Sequence, residues 1–228
     1  TKILTGKLHN AGQICLAPDY VFVPEEQQDA FVAMAREVVT TLYPTLLDNP
    51  DYTSVINARH FERLHSYLNE AREAGVELIE LNPAVEQLRD QPHHKMAPTL
   101  LRNPGDELQI MQDEIFGPLL PFKPYKSFAE VVSYINSHPR PLGLYYFGND
   151  AGEESFVLNR TTSGGVTLND VLRHGGVETL PFGGVGHSGM GCYHGVDGFR
   201  TFSHGKSVLR AVDGPDAMRP PYSEQVRQ

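Results

Sequence analysis

The sequence predicts an α/β fold, in which helices flank a largely parallel twisted sheet and an edge strand extends the C-terminal end. Short apolar runs typical of buried strands alternate along the chain with longer segments whose apolar residues recur at helical spacing. This alternation is typical of βαβ units and therefore of parallel sheets. The length of 228 residues and the hydrophobic content of 40% suffice for a substantial core in one or two domains.

The first elements are predicted from apolar periodicity and from helix-end signals. Residues 20–23 form a short apolar run and are predicted as a strand. Pro24 is predicted to begin a helix, because proline is accepted in the first turn. A second helix is predicted over residues 57–74 with Gly75 at its C-terminal end, and residues 76–81 are predicted as the following strand.

The second half of the chain continues the pattern. Ser127 and Glu130 have the spacing of a capping box, and Pro139 is predicted to end the helix that they begin. Glycine is frequent in residues 175–198, which show neither helical nor strand periodicity, and residues 202–212 alternate in the manner of an edge strand. Three further strands are predicted, at residues 119–125, 144–147 and 165–168.

Composition and charge exclude several functions. The chain has 19 Lys+Arg against 28 Asp+Glu, a net charge of −9, which disfavours binding to the nucleic-acid backbone. No run of 18 apolar residues occurs, so no membrane span is predicted. Two cysteines cannot form a disulfide framework, and no secretory signal precedes the first helix, which together predict a cytoplasmic protein.

Cys15 is the candidate nucleophile. It ends the segment Asn-Ala-Gly-Gln-Ile-Cys at residues 10–15, a small polar loop in which Gly12 lets the backbone approach a ligand closely. A reactive thiol needs partial exposure, which such a loop can provide. The alternative is that Cys15 is a buried small hydrophobe, which is the usual environment of a free cysteine.

Two other patterns are typical of ligand-binding sites, but the flanking residues and the spacing do not support that interpretation here. Residues 184–189 match the Gly-x-Gly-x-x-Gly dinucleotide fingerprint, yet they neither follow a predicted strand nor open a helix, so we interpret them as a loop. The histidines show no pair at helical i, i+4 spacing and the chain has no Cys-x-x-Cys, so no metal site is predicted.

Glu114 precedes a Gly-Pro turn and, taken alone, is equally well interpreted as a surface acid.

Three segments together resemble the signature stretches of the aldehyde dehydrogenase family, in the family's order and at its intervals. They are Asn-Ala-Gly-Gln-Ile-Cys at 10–15, Glu-Ile-Phe-Gly-Pro at 114–118 and Pro-Phe-Gly-Gly-Val-Gly-His-Ser-Gly at 181–189. Ala-Pro-Asp-Tyr-Val at 17–21 and Gly-Met-Gly-Cys-Tyr-His-Gly at 189–195 resemble the class 3 branch, and within it the enzymes that act on coniferyl aldehyde.

The resemblance implies roles for four residues. Cys15 matches the family's nucleophile, whose thiolate attacks an aldehyde and whose backbone N–H helps hold the oxyanion. Glu114 matches the carboxylate that holds the nicotinamide ribose, and Phe116 matches the aromatic residue beside the nicotinamide of NAD or NADP. Phe182 matches an aromatic residue near the substrate funnel. The expected substrate is a small aldehyde, with an aromatic aldehyde such as coniferyl aldehyde favoured.

The departures from the family pattern concern residues upstream of Cys15. The family's general-base Glu lies some thirty residues before the nucleophile, whereas no Asp or Glu precedes Cys15 in this chain. The resemblance therefore implies a catalytic domain at residues 1–201, a C-terminal oligomerisation strand and tail at 202–228 that form a homodimer, and an absent N-terminal cofactor-binding domain. The isolated chain is expected to fold without oxidising aldehydes.

Two other classes of function stay open at this stage. A thiol hydrolase would use Cys15 with a distant base such as His174 or His187, although the usual cysteine-protease signature is missing and the chain has no Trp. A non-enzymatic binding module would need none of these side chains. Aldehyde oxidation with added cofactor, ester hydrolysis without it, or neither, would separate the three classes.

Overall fold

The computed structural model describes residues 1–212. Its helices and strands are α1 (Lys2–Leu8), β1 (Val21–Pro24), α2 (Gln28–Leu42), α3 (Ala58–Glu73), β2 (Glu77–Glu80), β3 (Thr99–Arg102), α4 (Gln109–Gln112), β4 (Leu119–Tyr125), α5 (Phe128–Ser137), β5 (Gly143–Tyr146), α6 (Ala151–Arg160), β6 (Gly165–Leu168) and α7 (Gly195–Thr201). None of the helices in this part of the chain is long and apolar enough to cross a membrane.

The described strands form two sheets. The larger sheet has the order β1-β4-β3-β2, in which β4 pairs in parallel with both β1 and β3, and β2 pairs antiparallel with β3 at one edge. Strands β5 and β6 form a separate parallel pair. The predicted mixed α/β fold with a largely parallel sheet is therefore confirmed.

The central strands of the larger sheet are buried on both faces. Leu100 and Leu120 pack with α1 and α2 on one face. Their neighbours Leu101 and Leu119 pack with α3 and α4 on the other face, because successive side chains of a strand point to opposite sides. Burial on both faces explains why these strands consist of continuous apolar runs.

The helix-end signals hold at α3 and in part at α5. The Asn57 side chain accepts a hydrogen bond from the N–H of His60 at 3.0 Å, and Gly75, with a φ of +78°, ends α3. Ser127 accepts from the N–H of Glu130, and α5 ends two residues before Pro139. The Glu130 carboxylate accepts from the N–H of Lys126 and not from that of Ser127, so only one of the two bonds of a capping box forms. The bounds of β4 and β6 coincide with those predicted.

One local prediction is wrong. Pro24 does not begin a helix; it is extended and ends β1 opposite Tyr125, and a short 3-10 turn separates it from α2. The segment 175–198, which lacks periodicity, contains a bridge between Phe182 and Tyr193 and the start of α7. Its glycines supply no apolar side chains, so the sequence shows no periodicity there.

Residues 202–212, predicted as an edge strand, pair with no strand among residues 1–212. Phe202, Val208 and Leu209 are exposed. Pairing of this segment with a second chain, and the division of the chain at residue 201, stay predictions. Residues 213–228 of the predicted tail lie outside the described residues.

The sheet topology brings two loops to one edge. Cys15 lies in the segment that leads into β1, and residues 113–118 lead into β4. Strands β1 and β4 are adjacent and parallel, with Val21 opposite Phe122, so their first residues lie at the same edge. The two loops are therefore neighbours, although they are far apart in the sequence.

Candidate active site

The loop that carries Cys15 turns sharply through three residues in the left-handed region. Asn10, Ala11 and Gly12 have φ angles of +52°, +54° and +74°. Asn and Gly tolerate this conformation, whereas Ala11 does so at a cost and is buried. The Cys15 side chain is exposed, so the alternative of a buried cysteine is wrong.

Gln13 braces the same loop. Its amide nitrogen donates to the carbonyl oxygens of Asn10 and Ser54, both at 3.0 Å, and its amide oxygen accepts from the N–H of Ile56 at 2.9 Å. These bonds fix the loop both to itself and to the segment before α3. The sequence identifies Gln13 only as part of a motif, because its bracing role depends on partners that are remote in sequence.

A contact between two glycines joins the Cys15 loop to the Glu114 loop. A Cβ atom on Gly12 would collide with the carbonyl oxygen of Gly117 and would lie 2.8 Å from its carbonyl carbon. Gly117 in turn packs against Leu64 of α3, where a Cβ would lie 2.5 Å from a side-chain carbon. The first and second predicted motifs are therefore in backbone contact.

Arg63 of α3 holds the backbone of the Glu114 loop. Its guanidinium donates to the carbonyl oxygen of Ile115 at 2.7 Å and to that of Glu114 at 3.4 Å. It also donates to the Tyr67 hydroxyl at 2.7 Å, and that hydroxyl donates to Asp113 at 2.7 Å. The loop is thus fixed by backbone contacts that leave the Glu114 side chain unengaged.

The electrostatic environment of Glu114 contains both signs of charge. Partial burial raises the pKa of its carboxyl group, and the nearby Asp19 carboxylate adds to the rise. Arg63 and Lys7 oppose this effect and lower the pKa. The sequence motifs assign no role to Lys7, and Asp19 belongs to one of them only as part of Ala-Pro-Asp-Tyr-Val at 17–21. The signal that could have found Lys7 is a lysine among the apolar residues Ile3, Leu4 and Leu8 of α1.

Phe116 adopts a φ of +48°, which is rare for an aromatic residue. A conformation of this kind costs about 1–3 kcal/mol and persists only where the neighbouring structure imposes it. Here the flanking Ile115 and Gly117 are both buried. The backbone at Phe116 is therefore held in place beside Glu114 in the same loop.

The third motif reaches the first through Phe182. The Phe182 ring stacks with His194 at 5.8 Å between centroids and meets Tyr193 edge-on at 5.7 Å. A Cβ on Gly175 would lie 2.5 Å from the side chain of Leu16 and 3.4 Å from the Phe182 ring. Gly175 thus lies between Phe182 and the residue that follows Cys15.

The second sheet supports this arrangement. The Tyr145 hydroxyl of β5 donates to the carbonyl oxygen of Leu16 at 2.6 Å. Burial raises the pKa of Tyr145 to about 12, so the hydroxyl keeps its proton and remains a donor at neutral pH. The segment after Cys15 is therefore fixed from both sheets.

The histidines do not form a catalytic pair with Cys15. His174 is buried, its Nδ1 lies 2.8 Å from the Thr167 hydroxyl, and burial lowers its pKa. His187 is exposed in the 3-10 turn Gly186–Ser188, which confirms the loop interpretation of residues 184–189. Within residues 1–212, no hydrogen bond joins Cys15 to a histidine and no cluster of His, Cys, Asp and Glu could hold a metal ion.

The fold and the site together define an α/β protein in which three loops surround an exposed thiol. The family model described as "Aldehyde dehydrogenase family" matches residues 1–208. The chain belongs to the aldehyde dehydrogenase family.

Comparisons with known proteins give the same result. The chain is 57% identical to a coniferyl aldehyde dehydrogenase from Pseudomonas sp., over 99% of this chain and 47% of that protein. It is 40% identical to mouse aldehyde dehydrogenase family 3 member A2, over 98% of this chain and 45% of that protein. A substrate-bound structure of Staphylococcus aureus AldH superposes with a TM-score of 0.82 at 36% identity, over 99% of this chain and 48% of that one. The chain spans about half the length of these relatives.

Proposed function

We propose that this chain is the cysteine-bearing half of an NAD(P)-dependent aldehyde dehydrogenase, which oxidises an aldehyde to the carboxylic acid. The observation that carries the proposal is the contact of Gly12 with Gly117, which holds the exposed Cys15 and the Glu114 loop side by side. Membership of the family supports the reaction class.

In the proposed reaction, the Cys15 thiolate attacks the aldehyde carbonyl carbon and forms a thiohemiacetal. The backbone N–H of Cys15 donates to the resulting oxyanion; removal of one such donor typically costs about 2.7–4 kcal/mol of barrier. A nicotinamide held beside Cys15 would accept the hydride that the substrate carbon must lose. Cys15 would then carry the acyl group as a thioester, which water hydrolyses to the acid with return of the thiol.

The residues present fit a nicotinamide cofactor. In the described part of the chain the exposed Glu114 carboxylate accepts no hydrogen bond from the protein, so both oxygens are available to the two hydroxyls of a ribose. Phe116, fixed in the same loop, would pack beside the nicotinamide. NAD and NADP share the nicotinamide ribose that these two residues would contact.

We propose an aromatic aldehyde such as coniferyl aldehyde as the substrate and a homodimer as the assembly. The stacked rings of Phe182 and His194 near Leu16 give the site an aromatic wall. The similarity to a coniferyl aldehyde dehydrogenase supports the same substrate class. The exposed residues 202–212 would pair with a second chain.

The test compares the 228-residue chain with a fusion in which the upstream half of the Pseudomonas relative precedes Thr1. We expect the chain alone to fold and to form no reduced nicotinamide from coniferyl aldehyde with either cofactor, and we expect the fusion to form it. Cys15→Ala should abolish turnover by the fusion, whereas the matched Cys192→Ala should retain it.

Thiol labelling tests the nucleophile separately. In the chain, iodoacetamide should label the exposed Cys15 faster than the partly buried Cys192. Sustained turnover by the chain alone, or by the Cys15→Ala fusion, would contradict the proposal. Ester hydrolysis without cofactor and without aldehyde oxidation would instead favour a thiol hydrolase.

A further inference from the structure

Lys7 is a buried ammonium group without a hydrogen-bond partner among the described residues. Its side chain is 1% exposed and lies in the last turn of α1, immediately before the Cys15 loop. Lysine normally keeps its ammonium group in water, and burial is costly unless a counter-charge is close. The position in a last turn favours a cation, because the helix dipole is negative there.

The counter-charge is Asp19, which follows the Cys15 loop. The Lys7 Nζ lies 3.8 Å from the Asp19 Oδ1, close enough for ionic attraction but too far for a hydrogen bond. The same Oδ1 accepts a hydrogen bond from the N–H of Ile115 at 3.2 Å. Asp19 therefore connects α1 to the loop that carries Glu114.

The charges around Lys7 come from three elements. Asp19 and Glu114 face it from the segment before β1 and from the loop before β4, and Arg63 of α3 acts on both carboxylates. Burial lowers the pKa of Lys7 from 10.5 to about 8, although Asp19 and Glu114 oppose the shift. Burial raises the pKa of Asp19, and Lys7 opposes that rise. Without the positive charge on Lys7, the two carboxylates would repel each other.

We propose that Lys7 and Asp19 are a positioning pair, in which the charge on Lys7 keeps Asp19 bonded to Ile115 and thereby holds the Glu114 loop in place for the cofactor. Removal of that charge turns Asp19 away from Glu114 and toward solvent, and the bond to Ile115 is lost. The loop then loosens while Cys15 remains exposed and reactive. The statement about the cofactor rests on the proposed function; the statement about the loop does not.

Hydrogen exchange of residues 113–118 tests the loop in the chain itself. After correction for the intrinsic pH dependence of exchange, the loop should exchange about tenfold faster at pH 9 than at pH 7, because Lys7 loses its proton near pH 8. Lys7→Met should show fast exchange at both pH values. The double variant Lys7→Met with Asp19→Asn should restore slow exchange at both, because the Asn oxygen still accepts from Ile115 and no longer repels Glu114.

Lys123→Met is the matched control. Lys123 also forms an ion pair, with Asp106 at 2.9 Å, but its partners lie outside the Cys15 and Glu114 loops. This variant should leave the exchange of residues 113–118 and its pH dependence unchanged. In the active fusion, Lys7→Met should raise the KM for NAD(P) about tenfold at pH 7 and change kcat by less than threefold, and the double variant should restore the KM.

A purely structural role gives a different set of results. Lys7→Met should lower the melting temperature at pH 7, because it leaves the Asp19 carboxylate without its counter-charge. The double variant should restore the melting temperature, because both charges of the pair are then removed. Faster exchange throughout the chain in Lys7→Met, rather than in residues 113–118, or a double variant that restores nothing, would overturn the proposal. Exchange that does not change between pH 7 and pH 9 in the unchanged chain would overturn it without any variant. If residues 113–118 exchange slowly in a fusion that has no activity, the proposed function is refuted and the role of Lys7 in the loop is not.

Discussion

Gly12→Ala perturbs the contact on which the site depends. The added Cβ would meet the carbonyl oxygen of Gly117 on one side and the carbonyl oxygen of Lys7, at 3.0 Å, on the other. Both neighbours are backbone atoms, so neither can rotate away as a side chain would. The φ of +74° adds a conformational cost that glycine does not have.

The expected cost is the sum of two contributions. A left-handed conformation costs an alanine about 1–2 kcal/mol. Forcing a methyl group into a packed region costs about a further 1–3 kcal/mol. The matched control is Gly75→Ala, since Gly75 has a φ of +78° and open space around its Cβ position. The control carries only the first cost, so the difference between the two variants should be about 1–3 kcal/mol.

Thermal and urea unfolding of the chain measure this difference. For a chain of this size each kcal/mol corresponds to about 2–4 °C in melting temperature. Gly12→Ala should also speed the exchange of residues 113–118, whereas Gly75→Ala should leave that loop unchanged. If Gly12→Ala costs no more than Gly75→Ala, the two loops are not in backbone contact and the reasoning is wrong.

Two further predictions concern the Glu114 loop. Glu114→Gln in the active fusion should raise the KM for NAD(P) roughly ten- to hundredfold, because hydrogen bonds to a charged group contribute about 1.5–3 kcal/mol. Labelling of Cys15 should be unaffected by this substitution. An unchanged KM and kcat would identify Glu114 as a surface acid. Arg63→Met should lower the free energy of unfolding by about 2–3 kcal/mol, because the bonds to Ile115 and Tyr67 are lost. The control Arg89→Met removes an exposed ion pair with Glu62 and should cost under about 1 kcal/mol in urea unfolding. Equal losses in the two variants would show that Arg63 does not hold the Glu114 loop.

The sequence predicts elements well where one local signal is strong. The helix at Ala58–Glu73 has both an Asn cap and a terminal glycine, and β4 is a long apolar run. It fails where the signal is weak or misleading. Helix α6 has a weakly apolar face and is not predicted. Strand β3 is not predicted either, although β6, of the same length, is. Pro24 carries a helix-start signal, but pairing with β4 keeps it extended.

The residues of the candidate site also fall into those that the sequence predicts and those that it does not. Cys15, Glu114, Phe116 and Phe182 are found because they belong to recognisable motifs, and the structure brings their loops together. The residues that hold those loops are not found, since their roles depend on tertiary contacts. Gln13, Arg63 and the pair Lys7–Asp19 act on backbone atoms or charges that lie tens of residues away. A single sequence can mark Lys7 as a lysine among apolar residues, but it contains no local signal for the remote groups that these residues contact.

The division between motif and support suits the proposed function, which needs a site that is both fixed and reactive. The loops are fixed by backbone contacts, at Gly12 with Gly117 and at the carbonyl oxygens that Arg63 holds. Because backbone contacts hold the two loops, the side chains of Cys15 and Glu114 are not needed to stabilise them. A thiol or carboxylate that also stabilised the fold would be desolvated or hydrogen-bonded in the resting protein, and its chemistry would compete with stability. Here both side chains are exposed, so in the proposed function they are available to a substrate and a cofactor, and the cost of fixing them falls on residues that react with neither.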